Sequence, residues 1–373
     1  MTNDLRRFIP FFDPSASQWA AEARWLRWLT FLWLELGDGL YYFKRQLIAV
    51  AIGLAGFNLM VYSPLRYLMK TAQLGILVLL GVLWLTLIPG VGTTVNGATR
   101  WISLGPVPII QPSELIKPFF VLQSARIFGN WPRLTNKVRF TWLLIFGAML
   151  LGILLQPNLS TTALCGMTLW LVALAAGLPY LQLGATAMGG MLLAVLSISF
   201  KEYQRRRIMS FLNPWADAMQ DGYQLVQSLL AVGSGGILFY LPIQYSDFIF
   251  AVFAEEFGLV GGFSLLLMLA AYATVALRVA MRARNAESQL VAIGVMVVMV
   301  GQSLLNIGVA TGVLPTTGLP LPFFSYGGSS MVASLLLSGL LIRVARESSE
   351  AEVVSLDGRR GQHKPSNLSS YFR

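Results

Sequence analysis

Three carboxylates stand where carboxylates are costly. In the run S-D-F-I-F-A-V-F-A-E-E-F-G, from Ser246 to Gly258, Asp247 heads an apolar stretch and Glu255 and Glu256 lie within it. The whole chain has only 17 acidic residues, against 55% hydrophobic ones. A carboxylate in hydrocarbon costs roughly 2.5–3.5 kcal/mol on insertion scales, so it usually lines a polar cavity. Such a group can act as a general base. The structural alternative is a solvated interfacial loop or an internal salt bridge. Other chemistries are closed off. Cys165 is the only cysteine, which excludes an intramolecular disulfide and a cysteine metal site. His363 is the only histidine and lies in a polar tail, which removes Ser-His-Asp and Cys-His catalysis and His-based zinc sites. Acid–base work falls to carboxylates, lysines or tyrosines.

The elements that must hold these residues read as membrane helices. Mean hydropathy is +0.65 and 12% of residues are charged, where soluble domains carry about 25%. The expected fold is an all-α polytopic membrane bundle. Apolar segments fall at Leu47–Tyr62, Ala72–Ile88, Pro112–Phe128, Phe140–Leu155, Leu159–Leu178, Leu181–Phe200, Asp247–Ala276, Leu290–Thr311 and Ser325–Val344, nine spans in all. Ahead of them, Trp28–Leu36 is a segment too short to cross, broken by Gly37-Asp38-Gly39. No cleavable signal peptide is expected. The organisation is then an N-terminal cytoplasmic or interfacial segment (1–46), membrane helices (47–200), a large outer loop (201–246), membrane helices including that of Asp247 (247–346) and a polar cytoplasmic tail (347–373).

Charge sets the orientation. Arg66 and Lys70, Arg126, Arg133, Lys137 and Arg139, Arg278, Arg282 and Arg284, and Arg343 and Arg346 fall in alternate connections and belong on the cytoplasmic side. These loops account for the net charge of +10, and no nucleic-acid partner is implied. The connections Pro89–Gln111 and Lys201–Ser246 then face outward. The second carries Lys201, Arg205, Arg206 and Arg207, which suit either headgroup anchoring or a phosphate-bearing ligand. Asp247 follows that loop and starts at the outer face, with Glu255 roughly 12 Å deeper at 1.5 Å per residue.

Other polar clusters fall beside these helices. Glu114 and Lys117 share a helix face and can pair. Gln156-Pro157-Asn158 breaks another run. Gln302 and Asn306 share a face suited to interhelical bonding, with packing the plainer role. Gly53 and Gly56 suggest close helix packing. The stretch Leu314–Pro322 cannot continue a helix. There Thr316, Thr317, Ser325 and Tyr326 either shape a ligand cavity or form a tight helix-opening turn.

Five motifs in order carry a resemblance. They are Thr99-Arg100-Trp101 before Q-P-S-E-L-x-K at Gln111; Q-P-N-L-S-T at Gln156; F-L-N-P-W at Phe211, followed by G-Y-Q-L-V-Q-S at Gly222; the Asp247 run; and L-P-T-T-G-L-x-L-P-x-x-S-Y-G-G-S-S at Leu314. From about Leu40 to Arg346 the chain resembles the SEDS family, the group of FtsW and RodA, with wording closer to FtsW. The resemblance implies a ten-span glycosyltransferase that polymerises lipid II at the outer face of the bacterial cytoplasmic membrane. It implies a class B penicillin-binding protein and other divisome membrane proteins as partners, at the division septum. It puts the essential aspartate at Asp247 and supporting positions at Arg100, Trp101, Glu114, Lys117, Gln227, Ser228 and Ser325. Arg205, Arg206, Arg207 or Lys117, with a divalent cation such as magnesium or manganese, could stabilise a departing diphosphate.

The chain departs from the family pattern in two places. The first span stops after Leu36, and the Gly-rich piece between Ile237 and Phe239 is shortened. Shortening beside Asp247 could shift that residue or remove a substrate-holding surface. Two alternatives stand beside polymerisation: a lipid II flippase, and a catalytically impaired scaffold for the transpeptidase, the reading that the two shortened regions favour.

Overall fold

A computed structural model describes residues 39–95, 98–103, 110–200, 202–219, 222–234 and 247–362. The first segment through Leu36 and the stretch before Asp247, both expected to be shortened, together with Lys201 and His363, lie outside the described residues. Contacts divide the chain into Met1–Ile48 and Ala49–Arg373. Of the first unit, the described part is the opening of one helix.

The described residues form eleven α-helices: α1 (Gly39–Tyr62), α2 (Leu65–Leu85), α3 (Pro112–Gly129), α4 (Asn136–Leu155), α5 (Leu159–Ala175), α6 (Tyr180–Phe200), α7 (Glu202–Leu212), α8 (Tyr223–Ser234), α9 (Ile249–Met281), α10 (Ala286–Ala310) and α11 (Gly328–Gln362). Local chemistry sets their ends. Pro112 opens α3, where its missing N–H is no loss. Asn158 caps α5 by accepting from the Thr161 N–H at 3.3 Å, and Asn285 caps α10 by accepting from Ser288 at 2.8 Å.

Each of the nine predicted apolar segments is helical. Among the described residues, seven helices are long and apolar enough to cross a membrane: α1, α2, α4, α6, α9, α10 and α11. The 17-residue α5 is shorter, and α3 carries Glu114, Lys117 and Arg126. The chain is a multi-pass membrane protein. The connection at 201–246, expected to face outward as a loop, holds in its described part α7, a 3-10 turn at Pro214–Asp217, and α8. Polar α7 is amphipathic rather than apolar, so hydropathy alone passes over it. The last helix runs on to Gln362, well into the segment expected to be tail. α9 is two helices merged across a break at Gly258, whose φ of 62° and ψ of −162° suit glycine.

α10 is the hub. It packs on α3, α5, α8, α9 and α11, whereas α6 touches chiefly α5 and α7 and presents Met188, Met191 and Leu192 outward. Gly53 and Gly56 are packing glycines, as expected. A Cβ on either would come within 2.4 Å of Leu335 or 2.7 Å of Leu336 on α11.

The basic connections share one end of the Ala49–Arg373 bundle. Arg126 at the end of α3 donates to the Met69 carbonyl (3.2 Å). Asn130 donates to Glu287 at the start of α10. The Leu65 N–H at the start of α2 donates to Glu347 (2.8 Å), which also pairs with Arg343 on α11. At the opposite end, a small antiparallel hairpin, β1 (Thr93–Val95) and β2 (Ala98–Trp101), reaches toward the loop that follows α10.

Candidate active site

The site forms where four separate pieces of chain meet around Gly318. That residue has φ of 81°, in a stretch whose prolines forbid a helix. A Cβ placed on it would lie 3.4 Å from Asp247 Oδ2 and 3.9 Å from Nη1 of both Arg100 and Arg207. A carboxylate and two guanidiniums therefore converge around a residue whose left-handed backbone favours glycine.

Each of the three is anchored through the backbone. Asp247 sits in the turn just before α9, half-buried. Its carbonyl accepts from Asn306 Nδ2 at 2.7 Å, and the same nitrogen donates to the Leu319 carbonyl at 2.7 Å. One α10 side chain thus ties the Asp247 turn to the Gly318 loop. Arg100, buried on β2, donates from Nε to the Gln156 carbonyl (2.9 Å) and from Nη2 to the Pro157 carbonyl. The proline at that helix break leaves carbonyls for it to take. The Gln156 side chain in turn donates to Thr86 Oγ1 and to the Leu83 carbonyl (3.3 Å). Arg207, half-buried on α7, donates to the Thr316 carbonyl at 3.0 Å.

Beneath this layer lies a buried polar chain. Lys117 Nζ pairs with Glu114 Oε1 at 2.6 Å and donates to Gln302 Oε1 at 2.7 Å. Gln302 Nε2 then donates to the Pro320 carbonyl at 2.7 Å. Ion pair, α10 and site loop are thus connected. Burial holds the Asp247 carboxyl above the ordinary carboxylate range, and the nearby Arg207 and Arg100 charges pull it part of the way back.

The remaining predicted residues divide. Ser325 Oγ accepts from the Leu321 N–H (2.7 Å) and tightens the loop before α11. Ser228 is buried and donates to the Ala310 carbonyl (2.7 Å), fixing α8 to the end of α10. Gln227 is half-buried on α8, and Trp101 half-buried on β2. Arg205 and Arg206 are exposed, and Arg206 pairs with Glu202 at 2.7 Å. Of the three consecutive arginines, the geometry brings Arg207 to the site. On α9, Glu255 is buried and Glu256 is half-buried.

Four contributors, Gln302, Asn306, Gly318 and the Gln156 carbonyl, are not singled out as site residues by the sequence, and Thr316, a candidate cavity residue, contributes its carbonyl. The i, i+4 spacing of Gln302 and Asn306 suits interhelical bonding, with packing the plainer role, and it holds the signal of their part in the site. Gly318, Thr316 and the Gln156 carbonyl act through backbone, and residue type does not show that. A divalent cation has few protein ligands to use. Among the described residues there is no group of three or more His, Cys, Asp or Glu side chains, and the neighbours of Asp247 are guanidiniums. A cation fits only between one carboxylate and a substrate's own phosphates.

Comparison with known proteins finds relatives over most of the chain. The family model described as Cell cycle protein, for FtsW, RodA and SpoVE, matches residues 32–350. The probable peptidoglycan glycosyltransferase FtsW of Synechocystis sp. is 53% identical over 382 residues, covering 95% of this chain and 97% of that protein. Stage V sporulation protein E of Bacillus subtilis is 34% identical, covering 84% of this chain and 89% of that one. Among solved structures, a chain of a peptidoglycan synthase complex superposes with a TM-score of 0.70 at 33% identity, over 83% of this chain and 90% of that one. The rod shape determining protein RodA of Thermus thermophilus gives 0.61 at 29% identity, over 82% and 87%.

Proposed function

The chain belongs to the FtsW, RodA and SpoVE family of cell cycle proteins, and from this membership we propose that it is a peptidoglycan glycosyltransferase that polymerises lipid II with Asp247 as general base. The observation that carries the mechanism is the meeting of Asp247, Arg100 and Arg207 around Gly318.

Asp247 takes the proton from the acceptor sugar hydroxyl. The freed oxygen attacks the anomeric carbon of the lipid-linked donor as the bond to the diphosphate breaks, with inversion. The diphosphate leaves as an anion, so it needs charge stabilisation rather than a proton. Arg207 and Arg100 are placed to supply that. Their guanidiniums are tied to backbone carbonyls and need little reorganisation as charge develops. An aspartate whose affinity for protons is raised is a better acceptor than an exposed one. A magnesium or manganese ion, when bound, would add charge on the diphosphate.

In this reading the partner is a class B penicillin-binding protein, with other divisome membrane proteins, at the septum of the bacterial cytoplasmic membrane. The solved neighbour from a peptidoglycan synthase complex supports it.

The test uses purified full-length chain, lipid II and a divalent salt, with polymer read on a gel. Asp247→Asn keeps the shape and removes the base. The rate falls by about 100-fold or more, the range of general-base contributions. Undiminished polymer from Asp247→Asn overturns the mechanism. Lipid II crossing vesicles without polymer would favour the flippase, and partner binding without polymer the scaffold.

A further inference from the structure

A hollow lies at the other end of the Ala49–Arg373 bundle, among the basic connections. α2, α3, the Trp131–Arg133 turn and α4 enclose a cavity of about 470 Å3 whose lining includes Gln73, Gln123, Arg126, Arg133, Val138 and Trp142. Both charged residues in the lining are arginines, and no acidic side chain shares it. Asn130, also in the lining, donates to Glu287 at the start of α10. Arg126 uses one N–H on the Met69 carbonyl, and Arg133 is exposed on its turn.

Gln123 sharpens the reading. It is 1% exposed, and its Oε1 has no hydrogen-bond donor. A buried carbonyl oxygen left in that state costs about 1–3 kcal/mol. It lies six residues before the end of α3, roughly 9 Å into the bundle at 1.5 Å per residue. Val138 and Gln73 are themselves exposed, so the hollow opens on the outer flank of α2 and α4, where apolar side chains such as Leu74 and Phe140 face outward. Water alone would satisfy Gln123 but leave two guanidiniums without an anion.

We propose that this cavity holds the headgroup of an anionic glycerophospholipid that carries a free hydroxyl. The phosphodiester lies against Arg126 and Arg133. The headgroup hydroxyl donates to Gln123 Oε1. The acyl chains leave along the apolar wall of Val138 and Trp142 into the bilayer. The site is distinct from the Asp247 centre, and it concerns the leaflet on the basic side.

Native mass spectrometry of the detergent-purified full chain tests this. The probes are phosphatidylglycerol, phosphatidylmethanol and phosphatidylcholine with identical acyl chains, and glycerol 3-phosphate as a soluble competitor. The native chain retains phosphatidylglycerol over phosphatidylmethanol, and both over phosphatidylcholine. Arg133→Ala lowers phosphatidylglycerol retention about tenfold, the scale of one lost charged hydrogen bond, and Arg133→Lys recovers much of it. Gln123→Leu abolishes the preference for phosphatidylglycerol over phosphatidylmethanol. Equal retention of phosphatidylcholine, or retention unmoved by Arg133→Ala, overturns the proposal. Displacement by glycerol 3-phosphate at matching concentration also overturns it, in favour of a soluble phosphoester. Should Gln123→Leu fail to fold, exposed Arg133 still decides.

Discussion

Asp247 carries opposing influences that set the direction of its pH response. Burial raises its proton affinity, and Arg207 then Arg100 lower it. The base works when deprotonated, so the acid limb of the rate profile lies above the ordinary carboxylate range. Arg207→Ala removes a lowering influence, so the limb moves to higher pH while the maximal rate drops. A limb that stays put or moves down would show that Arg207 does not act on this carboxylate. Linkage has a matching sign. The folded chain binds this proton more tightly than the unfolded one, so Asp247 costs stability as pH rises through the window between its ordinary and raised values. Asp247 was legible in sequence because a carboxylate among apolar residues is rare. The choice of Arg207 among three arginines was not, since successive helical residues point about 100° apart and only the fold says which direction faces the site. Asn306 was visible as a polar position, but its targets lie on loops whose backbone no pattern describes.

Among elements, the broken α9 makes the clearest demand. Gly258 has a backbone conformation that residues with a Cβ avoid, yet a Cβ there would meet nothing within 4 Å. The penalty for Gly258→Ala is therefore torsional, about 1–3 kcal/mol. It should appear as a lower melting temperature in detergent. An unchanged melting temperature would mean that α9 can run straight through. The nine apolar helices could be read from sequence because membrane segments are long and nearly uninterrupted. Helices α7 and α8 could not. They are short and lie between membrane helices, and α7 hides its pattern in polar residues. The break at Gly258 escaped too, because one glycine in an apolar run has no distinctive context.

For the whole molecule, the basic connections gather at one end of the bundle and Asp247 at the other, which matches the sidedness expected from charge. Lys137→Cys and Met219→Cys are both exposed positions, one at each end. In sealed vesicles a membrane-impermeant maleimide should reach them from opposite faces, and labelling from the same face would refute the arrangement. The native background is silent, because Cys165 is the only cysteine and is fully buried in α5. That lone thiol has a wider consequence. With no second thiol to join and no solvent path to the first, the chain forms no disulfide and has none for a reductant to undo. It can stand between two compartments of different redox poise and be indifferent to both.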